Sequence, residues 1–460
     1  MRPIRSGARV ATIATALLVF TAVAAWAHAR LVRSDPAKDA RLVWPPTVIR
    51  LEFSEAVSAA TSRVELVAPD SQRLPLVARG DSGGRKTLLA DVPPLPSSGS
   101  YRVEWRLIGP DGHAVTGAYS FTVDSIVRQE SGRLPGPALQ RGGALPPAVV
   151  AAGSPLQQSM RFLWIAALLL VFGSTSLSLA VLPRLRVNAA GQEGVFQRSV
   201  DERLRAWTVT GAWLLLTLAV VRLTSQAVVL SGSVNSIRVD DVFGIVTGST
   251  WGRGWLVFVV ATIAVLVLAR ARRNAPGSPW PNLAGACAVL AISSPFLGHP
   301  ASTAFAPLAM SLDAVHVVAA GGWGGSILML ALVALPRATT LPENERANVL
   351  RELLRTFSPI ALSCAAVLLI TGTAEAWLQL RSLPALWNTE YGQALFRKLV
   401  FVAIVAGLGA WHWRFAQPAL RSERSVTALR WSIALDVVFL LGVLVLTAIL
   451  TGTAPPASAP

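Results

Sequence analysis

The stretch WSIALDVVFLLGVLVLTAILT, residues 431–451, decides the fold class of most of the chain. It contains one charged side chain, Asp436, and about 20 consecutive apolar residues suffice for a helix to cross a bilayer core. Seven similar runs precede it: 156–182, 206–231, 251–269, 280–298, 308–335, 356–380 and 394–415. The sequence therefore predicts an all-α membrane domain of eight transmembrane helices over residues 156–455.

Composition and charge agree with a protein that crosses a lipid bilayer several times. Hydrophobic residues make up 53% of the 460 residues and charged residues 14%, whereas soluble domains carry about 25% charged residues. The net charge of +16 would suggest a nucleic-acid partner in a soluble protein. However, sixteen Lys and Arg fall in the gaps on one side and only five, including Lys398, on the other. This asymmetry indicates orientation, so we predict a multi-pass plasma-membrane protein, no nucleic acid, and both ends of the mature chain outside.

The first 27 residues have the pattern of a secretory signal peptide. Basic residues precede a short apolar stretch, and Ala25 and Ala27 form an A-x-A cleavage site. An uncleaved anchor helix is the alternative. Cleavage after Ala27 would make His28 the mature N-terminus.

Residues 28–124 alternate polar and apolar residues in short runs, such as VIRLEF (48–53), RVELV (63–67) and AYSFTV (118–123). This period, with turn residues between the runs, is typical of half-buried antiparallel strands. We predict an all-β, immunoglobulin-like sandwich with Greek-key connections. Residues 125–155 are rich in Gly, Pro, Gln and Ala, which predicts a flexible linker before the membrane domain.

Three side chains of the β-domain form a pattern that suits Cu(II). A free N-terminal His28 can bind a metal through its α-amine and its ring nitrogen, and His113 can add a third nitrogen, a set that Cu(II) favours. Asp111 lies two residues before His113, so on an extended segment both side chains leave the same face. Taken singly, His28 could be a frayed terminus and His113 a turn residue. Together they predict a Cu(II) site.

Ionisable side chains within the membrane are costly and therefore candidates for function. Met310, Asp313 and His316 repeat at intervals of three, so they share one helix face, and His299 lies in the short outer gap before them. We predict that these four form a copper path, which Cu(I) could use. Alternatively, the acids merely pair with Arg222 as structural links. Weaker candidates lie elsewhere in the apolar runs: Glu375, His412 and Asp436.

Four segments of the β-domain carry a family resemblance: HARLVRSDP (28–36), LEFSEAV (51–57), YRVEW (101–105) and DGHAVTG (111–117). In this order they resemble the CopC family of copper-binding domains. The resemblance implies that His28, Asp111 and His113 ligate Cu(II). Some CopC members also have a Met-rich Cu(I) site, but residues 28–124 contain no Met, so we expect only the Cu(II) site.

The membrane domain carries a second resemblance, in the segments GHPA (298–301), DAVHVVAAGGWGG (313–325), FSP (357–359), YGQALFRKL (391–399) and LTAILTGTAP (446–455). These are similar to the CopD family of copper-handling membrane proteins. The chain departs from the family where an Asn-Arg pair is expected near Trp413-Arg414, and where Asp436 replaces Glu. The whole chain thus resembles a CopC–CopD fusion, a copper resistance or copper uptake membrane protein.

Three functions fit this sequence. The outer domain could pass copper to the membrane domain for import and homeostasis, since tethering raises the effective copper concentration at the membrane domain. It could instead sequester copper outside for tolerance. A copper or haem redox enzyme is the third, but Asp111 fills a position that oxygen chemistry needs open, and the membrane histidines do not form facing pairs. The scheme leaves room for a homo-oligomer and for an extracytoplasmic copper donor or reductase.

Overall fold

A computed structural model describes residues 31–54, 57–81, 84–109, 114–124, 155–185, 192–271, 279–298, 300, 305–416, 418 and 423–453. The predicted ligands His28, Asp111, His113 and His299 lie outside these residues, as do the predicted signal peptide and residues 125–154 of the predicted linker. The described residues form two compact units. The first holds the N-terminal domain with the described parts of 221–256 and 296–307, and the second holds the remaining helices.

The N-terminal domain is a curled β-structure, which confirms the all-β prediction. In the part of the domain that the structure describes, the strands are β1 Leu31–Asp35, β2 Arg41–Leu42, β3 Val48–Phe53, β4 Ser62–Val67, β5 Arg73–Asp81, β6 Gly84–Asp91, β7 Gly99–Ile108 and β8 Ala114–Val123. They are hydrogen bonded in the order β1-β3-β6-β5-β4-β7-β8-β2. All neighbours are antiparallel except β2 and β8. Strand β5 pairs with β6 in one sheet and with β4 in the other, so it joins the two sheets.

One apolar core lies between the sheets, because alternate residues of each strand point inward. Leu51 and Phe53 of β3 are buried with Val103 and Trp105 of β7. The Trp105 ring meets Phe53 edge-on, with centroids 6.3 Å apart. Gly117 of β8 is the ladder partner of Trp105, and a Cβ at Gly117 would collide with the indole ring. The period-two pattern read from the sequence is therefore the inward face of the sheets.

Within the described residues, eight helical segments are long and apolar enough to cross a membrane, as the sequence predicts: Pro155–Arg184, Gly194–Ser231, Thr250–Arg270, Trp280–Leu297, Ala306–Ala338, Glu345–Leu380, Glu390–Ala416 and Ser425–Leu450. The α-helices within and between them are α1 Pro155–Ser176, α2 Gln192–Ser231, α3 Val239–Gly248, α4 Thr250–Arg270, α5 Trp280–Ser293, α6 Ala306–Ala320, α7 Ser326–Met329, α8 Leu335–Ala338, α9 Glu343–Leu380, α10 Ala385–Asn388, α11 Glu390–Trp411 and α12 Glu423–Leu450.

Two features differ from the sequence-based expectation. Helices α2 and α9 begin more than ten residues before their apolar runs, because polar turns continue the same backbone hydrogen bonding. Helix α3 lies in what the sequence suggested was a plain outer gap. It is too short to span a bilayer and carries Asp240 and Asp241 in its first turn, where acidic residues stabilise a helix N-terminus.

The first and fifth spans touch through glycine. A Cβ added at Gly173 of α1 would lie on the backbone of Gly325, and one at Gly325 would lie 2.6 Å from the carbonyl oxygen of Leu169. Gly325 ends a π-helical turn, Gly321–Gly325, that continues α6. The small-residue run at 321–325 thus lets two helix backbones approach closely, as expected for packing in lipid.

Gly173→Ala is expected to destabilise the membrane domain by about 1–3 kcal/mol, the usual cost of overpacking, because its methyl group has only backbone to displace. The matched control is Gly407→Ala in α11, where a Cβ meets nothing within 4 Å and better helix propensity predicts a neutral or stabilising change. Thermal unfolding of the full chain in detergent measures both. Equal unfolding temperatures for the two variants would contradict the packing argument.

Candidate functional site

His316 is the best-placed metal ligand among the described membrane residues. It lies on α6, two turns after Met310 and one after Asp313, on a helical strip that runs along the span. Its ring nitrogen Nδ1 lies 2.8 Å from Oγ1 of Thr371 on α9. When Thr371 Oγ1 donates to the carbonyl oxygen of Val367, at 2.8 Å, it can accept from the imidazole.

This hydrogen bond engages Nδ1 and leaves Nε2 for a metal. When Nδ1 of His316 donates to Thr371, Nε2 keeps the lone pair with which a neutral imidazole binds a metal. The ring also lies against Gly372, where an added Cβ would be 3.3 Å from Cε1. Thr371 and Gly372 therefore orient the ring and leave room for it. This contact of Thr371 with His316 was not predicted from the sequence.

A cluster of ionisable side chains lies beside His316. Asp313 of α6 and Glu375 of α9 interact electrostatically with each other and with Lys398 of α11. Lys398 lies eight residues after Glu390, or about 12 Å into the helix. Glu375 Oε1 is buried and has no hydrogen-bond partner among the described residues. A cation that enters here must compete with the Lys398 ammonium group for the two carboxylates.

Lys398 corrects the sequence analysis in one respect. The charge count placed Lys398 with the outer charges, although it lies inside the predicted apolar run 394–415. Its position within that run could have identified it as a charge inside the membrane. The suggested partner of the acids was Arg222, whose Nη2 donates to the carbonyl oxygen of Leu297 at 2.6 Å. The basic side chain that interacts electrostatically with both Asp313 and Glu375 is Lys398.

His412 and Asp436 form a separate pair. His412 Nδ1 lies 3.2 Å from Oδ2 of Asp436, and Nε2 lies 2.7 Å from Oγ of Ser432. Fourteen residues, about 21 Å of helix, separate His412 from Lys398. Both ring nitrogens of His412 already have partners, so this pair is less suited than His316 to receive a metal.

The described residues therefore hold an oriented imidazole, but not a closed metal cage. Within them, no group of three His, Cys, Asp or Glu side chains could hold one metal ion. Of the predicted membrane residues, the structure brings Asp313, His316 and Glu375 into one neighbourhood. Met310 shares the helical strip of the first two.

Comparison with known proteins matches three consecutive parts of the chain. Residues 31–124 match the CopC domain, residues 152–306 the copper resistance protein D-like N-terminal domain, and residues 351–450 copper resistance protein D. The copper transport protein CutJ of Bacillus subtilis is 26% identical over 461 residues, covering 96% of this chain and 77% of CutJ.

Two further relatives match the N-terminal part. Protein YobA of Escherichia coli strain K12 is 32% identical over 121 residues, which are 26% of this chain and 98% of YobA. The crystal structure of CopC from Methylosinus trichosporium OB3b is 31% identical, covers 21% of this chain and 94% of that chain, and has a TM-score of 0.20. The chain belongs to the copper resistance and transport family in which a CopC domain is fused to the two CopD-type domains in one polypeptide.

Proposed function

We propose that this protein binds Cu(II) in its outer domain and passes copper to its membrane domain for import into the cytoplasm. The observation that carries the membrane step is His316, whose Nδ1 is held by Thr371, so that Nε2 is the nitrogen that can bind a metal. The fusion of the CopC and CopD parts supports a hand-over within one chain. CutJ, similar along nearly the whole chain, is named a copper transport protein.

The outer ligands of this proposal are His28, Asp111 and His113. Signal cleavage after Ala27 frees the α-amine of His28, which binds copper together with its own imidazole. His113 adds a third nitrogen and Asp111 an oxygen, a mixed tetragonal set that suits Cu(II). Copper is here the cargo, so the site must bind it tightly and still release it.

The membrane path begins with His299 and continues along the strip of Met310, Asp313 and His316. Imidazole and thioether ligands accept copper in either oxidation state, and the thioether favours Cu(I). Asp313 and Glu375 lower the cost of a cation in lipid, and Lys398 offsets one of their two negative charges when no cation is present. Release on the cytoplasmic side would pass His412 and Asp436.

Sequestration outside the cell is the second candidate, because curated relatives of the outer domain are named copper resistance protein C. Cellular copper content at fixed external copper separates the two functions. Cells with the protein should retain more copper than cells without it, after a membrane-impermeant chelator has removed surface copper. Extra copper that the chelator removes completely would favour sequestration.

Cu(II) binding by the outer domain should weaken in acid. The proposed ligands must be a neutral imidazole and a deprotonated amine, so protons compete with the metal. As pH falls through about 6.5, the ordinary pKa of histidine, affinity should drop roughly tenfold per pH unit for each imidazole protonated. Competition with a chelator of known affinity, at pH 7.5 and 5.5, measures this. A flat profile would point to other ligands.

A further inference from the structure

We propose that the copper-binding domain is docked on helix α3 by the Arg63–Asp241 ion pair, and that copper leaves the domain from this docked state. The hand-over rests on the proposed function, whereas the docking does not. The sequence had suggested a domain held only by a linker, residues 125–155. A flexible chain of that length spans about 30 Å on average, so docking would restrict the domain far more than the linker does.

Two arginines of the sandwich point to this surface. Arg63 of β4 and Arg106 of β7 are direct ladder partners, an arrangement of like charges that destabilises a sheet unless it is compensated. Arg63 Nη2 pairs with Asp241 of α3. The Arg106 guanidinium is buried and fills the space where a Cβ of Gly232, just after α2, would be. Arg63 thus contacts α3 itself, and Arg106 lies against the segment that joins α2 to α3.

Asp241 is built into this contact. Its residue exposure is 2%, although it lies on a short helix outside the spans. One carboxylate oxygen accepts from Arg63, and the other accepts from Ser231 Oγ at 3.1 Å and from the Arg238 amide at 3.2 Å. The same carboxylate therefore caps α3, links it to the end of α2 through Ser231, and pairs with the sandwich through Arg63. A buried carboxylate needs such a cation, since an unpaired one is strongly unfavourable.

Small residues let the two surfaces approach. A Cβ on Gly244 of α3 would lie 2.9 Å from the carbonyl oxygen of Ala60, and one on Gly248 would lie 3.5 Å from Ala60 Cβ. Ala60 belongs to a 3-10 turn, Ala59–Thr61, just before β4. A larger side chain at Gly244 would push the turn away from the helix. The ion pair and this close contact form one docking surface.

The docking turn also contacts the strand that leads to the predicted copper ligands. Thr61 Oγ1 donates to the carbonyl oxygen of Ile108, at 3.2 Å. Strand β7 ends at Ile108, and Asp111 follows three residues later, within about 10 Å of chain. The docking turn is therefore hydrogen bonded to the strand end that directly precedes the predicted copper ligands.

A disulfide tests the docking in the full chain in its membrane. Ala60→Cys with Gly248→Cys should cross-link, because their Cβ separation, 3.5 Å, is that of a disulfide. A protease site placed in residues 125–154 lets cleavage report the bond, since only cross-linked fragments stay joined. Asp70→Cys with Gly248→Cys is the matched control, because the extended strand β4, roughly 17 Å long, lies between Ala60 and Asp70. If the same fraction of cleaved fragments stayed joined in the two variants, the docking would be contradicted.

Asp241→Asn tests the ion pair within the same cross-linking assay. It keeps the size of the side chain and removes its charge, so the rate of cross-linking at residues 60 and 248 should fall at least about fivefold. Asp240→Asn, at the exposed neighbouring position, should leave the rate unchanged. Cu(II) binding by each variant shows that its sandwich is folded. An unchanged rate in Asp241→Asn would show that the ion pair does not hold the domain.

Copper accumulation by the cross-linked protein tests the hand-over. The locked protein should accumulate copper within about twofold of the parent, with and without a reductant that opens the disulfide. Loss of accumulation on locking, restored by the reductant, would overturn hand-over from the docked state. If the parent itself imports no copper, the proposed function fails, while the cross-link still decides the docking.

Discussion

One residue added before His28 is expected to abolish tight Cu(II) binding by the outer domain. The addition converts the α-amine into an amide, which removes one nitrogen and breaks the chelate ring with the His28 imidazole. Changes in groups that only support a metal ligand already cost about 10–100-fold in affinity. Loss of a ligand should therefore exceed about 100-fold, and His28→Ala or His113→Ala should act similarly.

The measurement is competition for Cu(II) between the mature domain and a chelator. The matched control carries the same added residue after Asp124, at the other end of the domain, and should bind like the parent. The parent should bind one copper per domain. Tight binding by the N-terminally extended domain would rule out the amine as a ligand, and with it the proposed outer site.

His316→Ala is expected to remove copper uptake while leaving Cu(II) binding by the outer domain unchanged. The substitution deletes the imidazole that Thr371 holds, and no second imidazole is described nearby. His316 lies ten residues into α6, or about 15 Å along the helix, so the change should not reach the outer site. Asp313→Asn should reduce uptake less, because it keeps the size and loses only the charge.

Thr371 provides a sharper test of the same site. Thr371→Val keeps the shape and removes the hydroxyl that orients the ring, so uptake should fall roughly 10–100-fold, the range for a group that supports a metal ligand. The matched control is Thr373→Val, at an exposed position on the same helix. If cells with His316→Ala accumulate as much copper as cells with the parent protein, the strip of Met310, Asp313 and His316 serves only helix packing. Sequestration outside the cell would then be the better-supported function.

The sequence by itself determined the two kinds of domain and their order. Strand alternation and long apolar runs are local patterns, and each reports burial of a single segment without knowledge of its neighbours. The eight spans and the all-β domain could therefore be read directly. Motif residues such as His316 could be singled out for the same reason, because an imidazole within an apolar run is conspicuous.

Only the tertiary structure decided which side chains meet. His316 and Thr371 are 55 residues apart, and Arg63 and Asp241 are 178 apart, so no local period links them. Lys398 could be seen in its run, but its role as the cation beside Asp313 and Glu375 follows from the packing of three helices. The sequence indicated that the β-domain is tethered by a linker. Its contact with α3, by contrast, depends on the cross-strand pair of Arg63 and Arg106 and on the buried carboxylate of Asp241. A charge in a low-dielectric interior must find a partner, and which partner it finds is set by how the helices and sheets pack.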